Sequence, residues 1–174
     1  MPYFYAAGKR VTLQLESSLW ALDTEALSLA AIADSIRKQI LSDARRLRGK
    51  YVLVHVPSSL LAALRAAHAV QPVYRSDDAM MVALPEVRVE ESRPETLRRL
   101  HDWLASRRQS IEVSEPEAGR LTLRPYSGDA VEALEIANAL EEEIRPELAE
   151  ARFIRSVASP DREYKARVRL PEVP

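Results

Sequence analysis

Two helix-start signatures in the second half of the chain leave few folds open to it: Ser92-Arg93-Pro94-Glu95 and Asp129-Ala130-Val131-Glu132. Each places an oxygen-bearing cap residue three positions before a glutamate, and the first adds a proline in the opening turn. The first predicts a helix showing Leu97, Leu100 and Leu104, the second a helix showing Val131, Leu134, Ala137 and Leu140. Around them lie β-prone runs: Glu86 to Val89, Ser110 to Ser114, Arg120 to Leu123 and Leu148 to Ile154. Glu115-Pro116-Glu117-Ala118-Gly119 joins the middle two as a hairpin.

The order β-α-β-β-α-β over residues 86–154 is the ferredoxin-like split βαβ pattern. Residues 19–84 follow it imperfectly. Leu19 to Leu22 reads as a strand, and Asp23 or Thr24 caps a long helix with Leu29, Ile32, Ile36 and Ile40 on one face. Arg45, Arg46 and Arg48 before Gly49 read as its cationic end and glycine stop, so the second strand of the pattern is expected to be missing. Lys50 to Val56, a helix from Ser58 or Ser59, Val70 to Tyr74 and Met80 to Leu84 follow, the last two around the turn Ser76-Asp77-Asp78. Tyr3-Phe4-Tyr5 and Arg10 to Leu15 precede all of this as a hairpin. The expected fold is therefore α+β, two tandem ferredoxin-like lobes with the first degenerate. Residues 1–84 hold the hairpin and first lobe, Pro85 marks the boundary, 85–158 hold the second lobe, and 159–174 form an extended tail.

Composition excludes several chemistries. The chain has no cysteine, which removes disulfides, thiolate metal sites and a Cys nucleophile. Its four glycines include no phosphate-binding loop or Gly-x-Ser-x-Gly elbow. His55, His68 and His101 stand at no metal-ligand spacing, and His101-Asp102 reads as a solvated helix face. Glu141-Glu142-Glu143 sits at a helix end whose dipole disfavours it, so Arg145 or neighbouring bases are expected to compensate. No enzyme, cofactor or metal is expected. A net charge of −1 gives no overall pull towards nucleic acid or membrane. The start of the chain lacks a signal-peptide pattern and no apolar run reaches the roughly 18 residues of a membrane span, so a cytoplasmic location is expected unless the chain is part of an exported precursor.

Several segments, in this order, carry a resemblance: Tyr3-Phe4-Tyr5 with Gly8-Lys9 and Val11, then Pro72-Val73-Tyr74, Glu86-Val87-Arg88-Val89, Ala133 to Leu140 with Ala137-Asn138, and Ala151-Arg152-Phe153-Ile154. Together they resemble the propeptide-like region upstream of the catalytic domain in bacterial subtilisin-like serine proteases. The similarity spans roughly Tyr3 to Ile154, and no catalytic domain follows in this sequence. It implies a protein partner, a subtilisin-like protease, with the chain acting as inhibitor, folding helper or regulator, either in trans or as part of a precursor. It also implies that Glu115 and Glu117 dock onto helix N-termini of the protease. The alternating tail, with Arg167, Val168, Arg169 and Leu170, would enter the protease cleft as an added strand or pair with the chain's own hairpin. Two other readings stand beside this one. The chain could be an interaction scaffold without a protease partner. Or it could be a ferredoxin-like RNA-binding protein, for which Arg48-Gly49-Lys50-Tyr51 is the only echo, followed by Leu53 and His55 where further aromatics are needed.

Overall fold

The computed structural model describes residues 1–76 and 79–157. Tyr3–Ala6 (β1) and Lys9–Thr12 (β2) form the expected antiparallel hairpin, but its second strand stops at Thr12, and Gln14 and Leu15, expected in it, belong to the strand that follows. Its two turn residues, Ala7 and Gly8, both take positive φ (50° and 72°), the twist that a two-residue connection between strands requires.

An eight-stranded antiparallel sheet follows. Gln14–Asp23 (β3) is longer than the strand expected at Leu19 to Leu22. The long helix expected from Glu25 to Arg48 is instead broken in two, Thr24–Leu29 (α1) and Asp34–Ser42 (α2). Asp23 caps the first, accepting from the N–H groups of Glu25 and Ala26 at 3.0 and 3.1 Å. Between the helices the backbone turns extended at Ala30, and Arg37 from α2 reaches back to the carbonyls of Ala30 and Ile32. The three-residue step from Leu29 to Ile32 fits one helix face, so periodicity cannot sense the break. Leu29 is in fact 88% exposed.

The break has a consequence further along. Arg45–Arg46 (β4) is a strand, not a helix end, and pairs with Tyr51–Val54 (β5) through Arg45↔Leu53 and Arg46↔Val52. Gly49 lies in the turn between them. The strand expected to be missing is thus present, in its shortest form.

Ser58–Ala66 (α3) and Val70–Ser76 (β6) complete the first half. The turn read at Ser76-Asp77-Asp78 lies, beyond Ser76, outside the described residues. Ala79–Glu90 (β7) then runs as one strand where two, separated by Pro85, were expected. Proline has no N–H to give a ladder and is tolerated at irregularities. Pro85 sits where β7 passes between two neighbours on one edge. Val73↔Val82 pairs it with β6 before the proline, and Val87↔Leu123 pairs it with Arg120–Pro125 (β9) after. Leu148–Val157 (β10) lines the other edge throughout, with its own bulge between Ala151 and Phe153.

Pro94–Ala105 (α4), Ile111–Glu117 (β8) and Ala130–Glu143 (α5) complete the second half. Asp129 caps α5 as expected, accepting from Val131 N–H at 2.8 Å, while Glu132 bonds Ser127 rather than the cap. At α4 the expected box does not form. Arg93 is the cap residue, and Ser92 instead donates to Glu147 at 2.6 Å.

The strand orders β4-β5-β3-β6 and β8-β9-β7-β10 repeat one arrangement. Leu22, Leu27, Ile40, Val54 and Leu64 form one core, and Val87, Val89, Leu100, Leu121, Leu134 and Leu140 belong to another. Phe4 and Leu13 from the N-terminal segment belong to the second core, as do Tyr74, Met81 and Ala83. A third cluster, Ala21, Leu53, Val73 and Val82, lies on the opposite side of β3 from Trp20 and Leu22, since neighbours in a strand face opposite ways. On α5 the buried stripe is Ala130, Ala133, Leu134, Ala137 and Leu140. Val131, expected inside, is 39% exposed.

Candidate protein-binding site

The two acidic residues expected to dock are both exposed, and the fold gives them different partners. β8 carries a bulge between Ser114 and Glu117, around Pro116. Glu115 is engaged on both oxygens there: Oε1 accepts the Gly119 N–H at 2.8 Å, and Oε2 lies 3.0 Å from His101 Nε2. It ties the hairpin to α4. Glu117 pairs with Arg120 at 2.8 Å and projects with its side chain 67% exposed. The hairpin tip is also fixed to the start of α4, because Glu91 N–H donates to the Gly119 carbonyl at 2.8 Å. Arg167, Val168, Arg169 and Leu170 lie outside the described residues.

The sheet side facing away from α4 and α5 is charged rather than apolar. Val87 and Val89 point into the core, so Glu86, Arg88 and Glu90 face outward, and Leu121 and Leu123 likewise leave Thr122 and Arg124 outside. Glu86 accepts from Arg124 at 2.7 Å and from Arg152 at 2.5 Å, bridging β7 to β9 and β10 at once. Arg88 pairs with Glu90. Alternation in Glu86–Glu90 and Arg120–Arg124 was the available signal for this face, but which charges meet depends on register, which that signal does not contain.

These pairs give the fold an acid limit. Burial acts to raise the Glu86 carboxyl, yet the hydrogen bonds from Arg152 and Arg124 outweigh it and hold the group below the usual carboxylate range. Glu91 is held low in the same way, chiefly by Arg93, which contacts it through Nε at 2.9 Å and Nη2 at 2.6 Å while its backbone N–H donates at 2.7 Å. A carboxyl depressed on folding contributes stability above its unfolded pKa and loses it as pH falls through the folded value. The melting temperature is therefore expected to hold from pH 7 to about 5 and to fall below the ordinary glutamate pKa of about 4.3. Glu91→Gln should flatten that acid limb in thermal melts recorded from pH 2 to 7. An unchanged limb would exclude Glu91 as a contributor.

The acidic end of α5 is compensated, but not by Arg145. Arg145 takes a positive φ (57°) beyond the helix end, and its carbonyl accepts from Arg93 at 2.8 Å. Arg99 donates to the Glu143 carbonyl at 2.9 Å, and Trp103 Nε1 to the Glu143 carboxylate at 2.7 Å. Glu142 accepts from the hydroxyls of Tyr3 (2.8 Å) and Tyr5 (3.1 Å), fastening the hairpin to α5.

His55 Nδ1 lies 2.9 Å from the Ser18 carbonyl, and His68 ends α3 with positive φ. Among the described residues no group of three or more acidic or histidine side chains could hold a metal ion, and no helix is long and apolar enough to cross a membrane. A cavity of about 580 Å³ lined by Leu15, Trp20, Pro72, Tyr74 and Val131 opens beside the start of α5; burial pushes the Tyr74 hydroxyl up to about 12. Comparison with protein-family models, curated proteins and solved structures finds no match to this chain.

Proposed function

We propose that the chain is a non-catalytic, protein-binding module of two ferredoxin-like lobes fused through β7, acting as a propeptide-type inhibitor or regulator of a subtilisin-like serine protease. The two equivalent strand orders support the ferredoxin-like part. The observation that carries the rest is how the resembling segments meet. Asn138 Nδ2 donates to the Tyr3 carbonyl at 2.9 Å, and the Phe4 and Phe153 rings pack 5.1 Å apart. Three segments distant in sequence, the opening aromatics, the Ala-Asn of the last helix and the Phe-Ile of the last strand, thus form one structural unit.

In this reading Glu117 is the docking carboxylate, set at a projecting hairpin tip where it meets the free N–H groups and positive dipole ends of partner helices. Glu115 supports it by fixing the turn. The RNA-binding reading is less favoured, because Leu53 is buried and Tyr51 half-buried, so no row of open aromatic faces lies along β5.

Inhibition of a subtilisin-like protease by the full chain tests the proposal. Glu117→Ala should weaken inhibition about tenfold, the effect of losing roughly 1.4 kcal/mol at the interface, with an unchanged melting temperature. Truncation after Ser159 should abolish inhibition and leave the melting temperature in place. A large drop in melting temperature with inhibition retained would instead assign the tail to the chain's own sheet. Absence of inhibition by the intact chain at any concentration would overturn the protease assignment.

A further inference from the structure

The arginine cluster that follows α2 has no helix end to serve. Arg46 lies on β4 and Arg48 in the turn to β5, both exposed. Across a groove of about 530 Å³ they face β10, where Arg155 joins them. Lys50 and Arg152 also line it but are already held, Lys50 by Asp23 at 2.8 Å and Arg152 by Glu86. Arg46, Arg48 and Arg155 have no ion pair among the described residues, and no described carboxylate lines the groove. In a chain of net charge −1 this is a local concentration of positive charge.

The floor is apolar: Leu47, Tyr51, Leu84 and Ile154 line it, and all four pack against the third hydrophobic cluster. Its walls are two of the edge strands of the sheet, β4 and β10. Among the described strands β4 pairs only with β5 and β10 only with β7, so the outer edge of β10 presents unpaired backbone groups along the groove. Three properties coincide: an open strand edge, an apolar floor and a cationic rim.

We propose that this groove binds an extended peptide of alternating acidic and apolar residues as an added strand on the outer edge of β10. Backbone hydrogen bonds to β10 supply affinity, apolar side chains settle on Leu47, Tyr51 and Ile154, and carboxylates meet Arg46, Arg48 and Arg155. A second copy of the chain fits poorly, since it would set one row of arginines against another. The chain's own alternating tail carries Lys165, Arg167 and Arg169, the wrong sign. Nucleic acid needs open aromatic faces for stacking, and the Phe153 ring is engaged with Phe4. The site is independent of the protease reading: it uses neither Glu117 nor the tail.

The test is fluorescence anisotropy with the full chain and a dye-labelled heptapeptide, Glu-Val-Glu-Val-Glu-Val-Glu. The peptide should bind, and the variant Arg46→Gln/Arg48→Gln/Arg155→Gln should bind at least about tenfold more weakly with an unchanged melting temperature. All three positions are exposed, so the fold tolerates the change. The same peptide with its backbone amides N-methylated keeps every charge and side chain but cannot extend a sheet, and should also lose about tenfold or more. Equal binding of the N-methylated peptide would reduce the site to electrostatic adhesion and overturn the proposal. So would equal or tighter binding of a single-stranded oligonucleotide of matched charge, or no peptide binding at all.

Discussion

Gly119→Ala should lower the unfolding free energy by about 3 kcal/mol or more, a loss in the range reserved for strained or overpacked sites. Gly119 holds φ at +79°, and a Cβ built there would stand 2.0 Å from the Glu91 carbonyl oxygen. That oxygen is backbone, fixed between β7 and α4, so neither side can move aside cheaply. The Glu91 N–H bond to the Gly119 carbonyl would be lost with any shift. Gly8→Ala is the matched control. Its φ is similar (+72°), but nothing lies within 4 Å of the added Cβ, so only the backbone term of about 1–2 kcal/mol applies. Urea unfolding of both variants separates the contributions. Equal losses would mean that the close approach at Glu91 is not a constraint on the fold.

Residues 1–84 alone should show no cooperative thermal transition, while the full chain should melt in one. The first half does contain its own cluster around Leu22, Leu27 and Leu64. Yet Phe4, Leu13, Tyr74 and Met81 are buried against Leu100, Trp103, Leu134 and Leu140 of the second half. Exposing those four at about 1.5–3 kcal/mol each rivals the whole stability of a typical domain, about 5–15 kcal/mol. Cutting at Leu84 also removes β10, which pairs with the stretch Ala79–Ala83. Circular dichroism and calorimetry on the fragment and the full chain decide the matter. A sharp fragment melt within a few degrees of the intact protein would show two independent units.

Both expectations depend on β7, and β7 marks where sequence patterning stops being informative. Its two halves were each legible as strands, because Met80 to Leu84 and Glu86 to Val89 carry the right residue types. Pro85 between them reads as a break under any local rule. Only the neighbours make it harmless: β6 ends its pairing before the proline, β9 begins after it, and β10 bulges at Arg152.

Local sequence alone determined what depends on contacts within a few residues. The β1–β2 hairpin, the Asp129 cap on α5, the β8–β9 hairpin and the α+β class follow from turn residues, short-range hydrogen bonds and the periods of 2 and 3.6. Tertiary structure decided the rest. Leu29 and Ile32 have helical spacing, but the chain breaks between them so that Arg45 and Arg46 can join β5. Ser92 could have capped α4, but Glu147 takes its hydroxyl. Glu115 and Glu117 are equal in sequence, and only the folded chain gives Glu115 to His101 and Gly119 and Glu117 to Arg120. A local preference such as the Ser92 cap is worth only about 1 kcal/mol, and at that scale a partner 55 positions away in the chain can redirect the side chain.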